Sequence, residues 1–151
     1  MKHIITASFF KEARFVILFS TLVLTQLTPQ LCFAEASIIV HPSNDTQLSP
    51  KDIQRIFMGK LKSFPNGIKN KPIDLPIDSD VRQAFNSKLL KKNHQQIKSY
   101  WARQIFTGKG IPPKELKTAK AVKEFVAHNE NAIGYINTEL LDTTVKEVYL
   151  F

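Results

Sequence analysis

Cysteine is nearly absent, with Cys32 the only one among 151 residues. It lies in the leading apolar segment, so the chain beyond it has neither a disulfide nor a thiol to react. Pro29-Gln30-Leu31 ahead of it lacks the small residue that a lipoprotein signal places before its cysteine, which argues against a lipid anchor. The usual hydrolytic signatures are missing too: there is no G-x-S-x-G and no H-E-x-x-H. His41, His94 and His128 stand at no metal-ligand spacing, and no cofactor or metal is expected. Asp74, Asp78 and Asp80 form an acidic run without the glycine and distal glutamate of an EF-hand, and read as turn and cap residues. With no nucleophile beside a base, enzymatic activity is not expected.

The first 34 residues differ from the rest. Lys2, Lys11 and Arg14 give a positive start, Phe15 to Leu24 is a continuous apolar run, and Cys32-Phe33-Ala34 offers small residues at the −3 and −1 positions before Glu35. That layout is a secretory signal peptide, and the apolar run is shorter than the roughly 20 residues a spanning helix needs. Residues 35–151 then form the mature domain. Removal of the leader takes the net charge from +8 to 18 basic against 12 acidic residues, or +6. Such a balance favours anionic partners. Nucleic acid is not expected, because an exported protein rarely meets it and the lysines are dispersed.

Hydrophobic residues make up 43% of the chain, enough for a core without disulfides. Ser37 to His41 reads as a buried first strand. In Leu48 to Gly59, Ser49 caps a helix, Pro50 fits its first position and Asp52 completes a capping box. Ile53, Ile56 and Phe57 form its apolar stripe, and Gly59 ends it. Lys71 to Leu75 reads as a second strand. A second helix follows, capped by Ser79 or Asp78, with Val81, Ala84, Phe85 and Leu89 buried. A third starts at Asn93 and buries Ile97, Tyr100, Trp101 and Ile105 before Gly108. Thr118 caps a fourth, with Ala121, Val122, Phe125 and Val126 inward, and two strands follow at Ala132 to Ile136 and Val145 to Phe151. Strands interleaved with helices give an α/β domain, a small mixed sheet covered by helices.

Four pieces in this order, LSPKDIQRIFMGK, DSDVRQAF, YWARQIFTGKGIPP and NAIGYI, resemble the periplasmic phosphate-binding proteins of ABC transporters, and more narrowly the short single-domain members of that superfamily. The resemblance implies a single periplasmic-binding-protein-like lobe acting outside the inner membrane. Full-length members have two lobes that hold phosphate between them, using a Gly/Ser/Thr-rich loop, an aspartate in the first lobe, and an arginine ahead of a Ser-Gly-Thr helix start. This chain begins near what would be the end of that first-lobe portion. Ser79-Asp80-Val81 stands where Ser-Gly-Thr would be, and Leu75 about where the arginine would be.

A helix start can seat an anion through its free N–H groups and its dipole. Ser79, Asp80 and Arg82 are therefore the candidate ligand-binding residues. Asp78 and Asp80 are expected to occupy those N–H groups and repel an anion, with Arg82 offsetting part of this. The resemblance implies a solute-binding module that takes a small oxyanion such as phosphate, working with a membrane transporter. The alternative is a protein-interaction module that kept the fold, lost the pocket and docks on another envelope protein. N-terminal sequencing of the exported protein is expected to begin at Glu35.

Overall fold

The computed structural model describes residues 35–151; the expected signal segment and Cys32 lie outside the described residues. The elements run β1 (Ala36–Val40), α1 (Pro50–Phe57), β2 (Lys71–Asp74), α2 (Asp80–Phe85), α3 (His94–Phe106), β3 (Lys114–Glu115), α4 (Ala119–Ala127), β4 (Ala132–Asn137) and β5 (Lys146–Leu150). They make one mixed five-stranded sheet in the order β3-β2-β4-β1-β5. β2 is parallel to both β3 and β4, while β1 is antiparallel to both β4 and β5. The chain thus forms an α/β domain of the expected kind.

The α1 signals act together. The Ser49 hydroxyl accepts from the Asp52 backbone N–H at 3.2 Å, and the Asp52 carboxylate takes the Ser49 hydroxyl at 2.6 Å and its N–H at 3.3 Å. Gly59 leaves the helix at φ +66, in the left-handed region that glycine tolerates. α3 opens with the same reciprocal device, Asn93 with Gln96.

Three helices depart from the expected pattern. The second helix ends as α-helix at Phe85 and continues as one π-helical turn, Asn86–Leu90, before Lys91 turns it at φ 53. Leu89 is buried from that turn, and Ala84 is only half-buried. In α3, Ile97 and Trp101 are buried, but Ile105 faces solvent and Tyr100 is half-buried, its hydroxyl donating to the Met58 carbonyl at 2.7 Å. Ala121 and Phe125 of α4 are likewise half-buried, whereas Val122 and Val126 are fully covered. The helical period identified the right faces and overstated their width.

β1 and β4 sit in the middle of the sheet and are buried on both faces, which is why their sequences are continuous apolar runs. On β4, neighbouring Gly134 and Tyr135 point to opposite sides. The Tyr135 side is filled by Phe85, stacked at 4.3 Å, and by Phe57, which meets Phe85 edge-on at 4.7 Å. The Gly134 side is filled by α4, and helices therefore cover both faces. Among the described residues the core belongs to one compact unit, Ala34–Phe151. Its two ends meet: the Ala36 N–H donates to Phe151 at 3.2 Å, and the Phe151 N–H returns to Ala36 at 2.8 Å.

A Cβ added at Gly134 would lie 2.5 Å from Val122 Cγ1 and 3.4 Å from Val126 Cγ2. Gly134→Ala is therefore expected to destabilise the domain by about 1–3 kcal/mol through overpacking. Val122→Ala in the same chain should recover part of that in urea unfolding.

Candidate functional site

Parallel strands β2 and β3 end side by side, and each is followed by a helix. β2 runs through Leu75 to Ser79 into α2; β3 runs through Leu116 and Lys117 into α4. Both helix starts consequently open on the same crevice, at the carboxyl ends of the strands, where open α/β sheets place their ligands. An open cleft of about 440 Å³ lies there, lined by Leu75, Pro76, Asp78, Ser79, Lys117, Thr118 and Ala119.

The two caps line it. The Ser79 hydroxyl accepts from the Arg82 N–H at 3.5 Å, and the Thr118 hydroxyl accepts from the Ala121 N–H at 3.1 Å. The long Ser79 contact leaves its oxygen loosely held. The sequence marks Ser79 as a candidate and Thr118 only as a cap, and gives Lys117 no distinction. No local pattern marks those two, since only the pairing of β2 with β3 brings them opposite Ser79.

The other two candidates stand elsewhere. Asp80 occupies the first position of α2, is exposed and is outside the cleft lining. Asp78 lines the cleft. Neither carboxylate makes a hydrogen bond or an ion pair among the described residues, so the Ser79 side chain alone serves as the cap. The expectation that both carboxylates would occupy the N–H groups is corrected on this point.

Arg82 points away from the cleft. Its guanidinium lies 3.0 Å from the Asp74 carboxylate and 2.7 Å from Glu115, and donates to the Leu75 carbonyl as well. Arg82 and Asp74 are each only 13% exposed. Asp74 is therefore not the turn residue expected of the acidic run, because it anchors a buried cluster. Burial raises its pKa from the ordinary aspartate value. The Arg82 charge, the Tyr135 hydroxyl and the Leu75 N–H pull it back in part. Burial, reinforced by the Asp74 charge, pushes the Tyr135 phenol well above its usual value, so it stays a neutral donor to Asp74.

Removing Arg82 would take away the guanidinium that pairs with Asp74 in this cluster. Arg82→Met is expected to cost about 3–5 kcal/mol at pH 7. Because the pKa of Asp74 is raised on folding, the folded chain binds its proton more tightly than the unfolded chain does. Stability tied to this group thus falls as pH rises from 3.8 through the folded value, and acidification past that value should restore part of the loss in Arg82→Met. Denaturant titrations across pH measure this directly.

No protein-family model matches the sequence, and no curated protein matches it. Solved structures do. An ABC-type phosphate transport receptor from Vibrio cholerae aligns at 19% identity over 77% of this chain and 47% of its own, with a TM-score of 0.59. A putative phosphate ABC transporter substrate-binding protein from Clostridium perfringens, solved with bound phosphate, aligns at 22% identity over 77% and 45%, with a TM-score of 0.61. PstS from Borrelia burgdorferi gives 18% identity over 70% and 42%, with a TM-score of 0.50. The fold is that of the phosphate-transporter substrate-binding proteins, and the chain spans less than half the length of these neighbours.

Proposed function

We propose that this chain is an exported, periplasmic binding module whose cleft between the starts of α2 and α4 takes a small oxyanion, phosphate foremost, in connection with an ABC transporter. The observation that carries this reading is the convergence of two capped helix starts and Lys117 on one crevice at the ends of parallel strands. The phosphate receptors among its fold neighbours support the same chemistry. Ser79 supplies a hydroxyl, and Lys117 and the helix dipoles supply positive potential. Asp78 opposes full anions and can instead accept a hydrogen bond from a protonated oxyanion. Asp80 adds to the negative potential just outside. Arg82 contributes indirectly, by fixing Leu75 and the turn into α2.

With one wall of a two-lobed site, affinity is expected in the millimolar range, about −4 kcal/mol. Isothermal titration with phosphate should give saturable heat and raise the melting temperature. Lys117→Ala and Ser79→Ala should weaken binding severalfold, and Asp78→Asn should relax any preference for phosphate over sulfate.

A second reading, a docking module for another envelope protein, is favoured by Arg82 being neutralised inside the fold and by the two uncompensated aspartates at the α2 start. No heat and no thermal shift with either anion would replace the first reading with this one.

A further inference from the structure

The positive charge of the domain is segregated. From Val81 to Lys114 the sequence holds eight lysines and arginines and no aspartate or glutamate, whereas the rest of residues 35–151 holds ten basic and twelve acidic residues. This acid-free stretch is α2 after its first residue, the π-helical turn, all of α3 and the loop into β3. Among the described residues, the exposed Lys91, Lys98, Arg103 and Lys109 form no ion pair with a carboxylate.

The same stretch carries the most exposed large apolar side chains of the described domain. Phe106 is 92% exposed, Ile111 81% and Ile105 56%. On α3, Phe106 lies opposite the buried Ile97, and Lys98 and Arg103 project to either side of the outer strip that leads to it. A Cβ added at Gly110 would lie 3.8 Å from the Trp101 ring. Leaving a phenylalanine almost fully in water gains nothing for folding. A protruding aromatic and two isoleucines, in a stretch that carries cations and no acid, match an interface that is apolar inside and anionic at its surface.

We propose that the outer face of α3 and the loop after it dock on an anionic lipid surface, with Phe106 and Ile111 entering the headgroup region and Lys98, Arg103 and Lys109 over it. No helix among the described residues is long and apolar enough to cross a membrane, so the domain lies on the surface rather than through it. This face is separate from the cleft of α2 and α4, and the inference stands or falls independently of anion capture.

Residues 35–151 are to be sedimented with vesicles of phosphatidylethanolamine and phosphatidylglycerol, and with phosphatidylcholine alone. Binding is expected only to the anionic vesicles and should fall steeply with salt. Each cation reversed or removed should lower partitioning about fivefold. Lys98→Glu with Arg103→Glu should abolish binding, and Phe106→Ser with Ile111→Ser should weaken it about tenfold or more. All four side chains are exposed, and unchanged thermal unfolding will show that the fold is intact. Lys51→Glu with Lys120→Glu, on other surfaces, should leave binding as it was. Indifference to anionic vesicles, as an acidic protein partner would predict, overturns the proposal. Equal loss in the Lys51/Lys120 variant overturns it too, because net charge alone would then suffice.

Discussion

Tyr135 joins the two halves of the fold. Its ring completes the aromatic cluster of Phe57 and Phe85 beneath the sheet, and its hydroxyl reaches the Asp74 carboxylate that Arg82 neutralises. The apolar core and the ionic cluster therefore share one residue. Strand β4 fixes the tyrosine, the tyrosine fixes Asp74 at the end of β2, and Arg82 then ties the start of α2 to β3 through Glu115. Burying these charges is costly, and desolvation repays nothing by itself. What the arrangement does is set where β2 ends relative to β3. The relative placement of the two helix starts follows from it.

That placement explains how one side chain can belong to the site's construction without belonging to its surface. An arginine one turn into a helix sits near the pole where an anion would be held, so sequence alone assigns it to the ligand. Two carboxylates, one of them 33 residues further along the chain, claim it first. The crevice is left with a lysine, two hydroxyls and an aspartate, a much weaker field than an arginine would give. The aligned stretch makes up less than half of the fold neighbours' length.

Much of the fold could be read locally because its signals are local. Ser49, Pro50, Asp52 and Gly59 define α1 within ten residues, and Asn93 with Gln96 does the same for α3. The buried strands β1 and β4 announce themselves as unbroken apolar runs. What escaped depends on distant pairing. β3 is only Lys114 and Glu115, both exposed, and is a strand only because β2 lies beside it. The π-helical turn after Phe85 answers to packing around Leu89 and Leu90, which no periodicity reports. Of the site, Ser79 was legible as a cap, whereas Lys117 needed the sheet order before it could be placed. Ile105 fitted a helical period yet faces water, since α3 has partners on only part of its circumference.

The mutual hydrogen bonds of Ala36 and Phe151 have a consequence for architecture at a larger scale. A unit whose entry and exit lie side by side can be spliced into a surface loop of another chain without stretching its host. It can also be reopened elsewhere, at an exposed turn such as Asn66-Gly67, once a short bridge joins the old extremities. A domain with this geometry is a portable part.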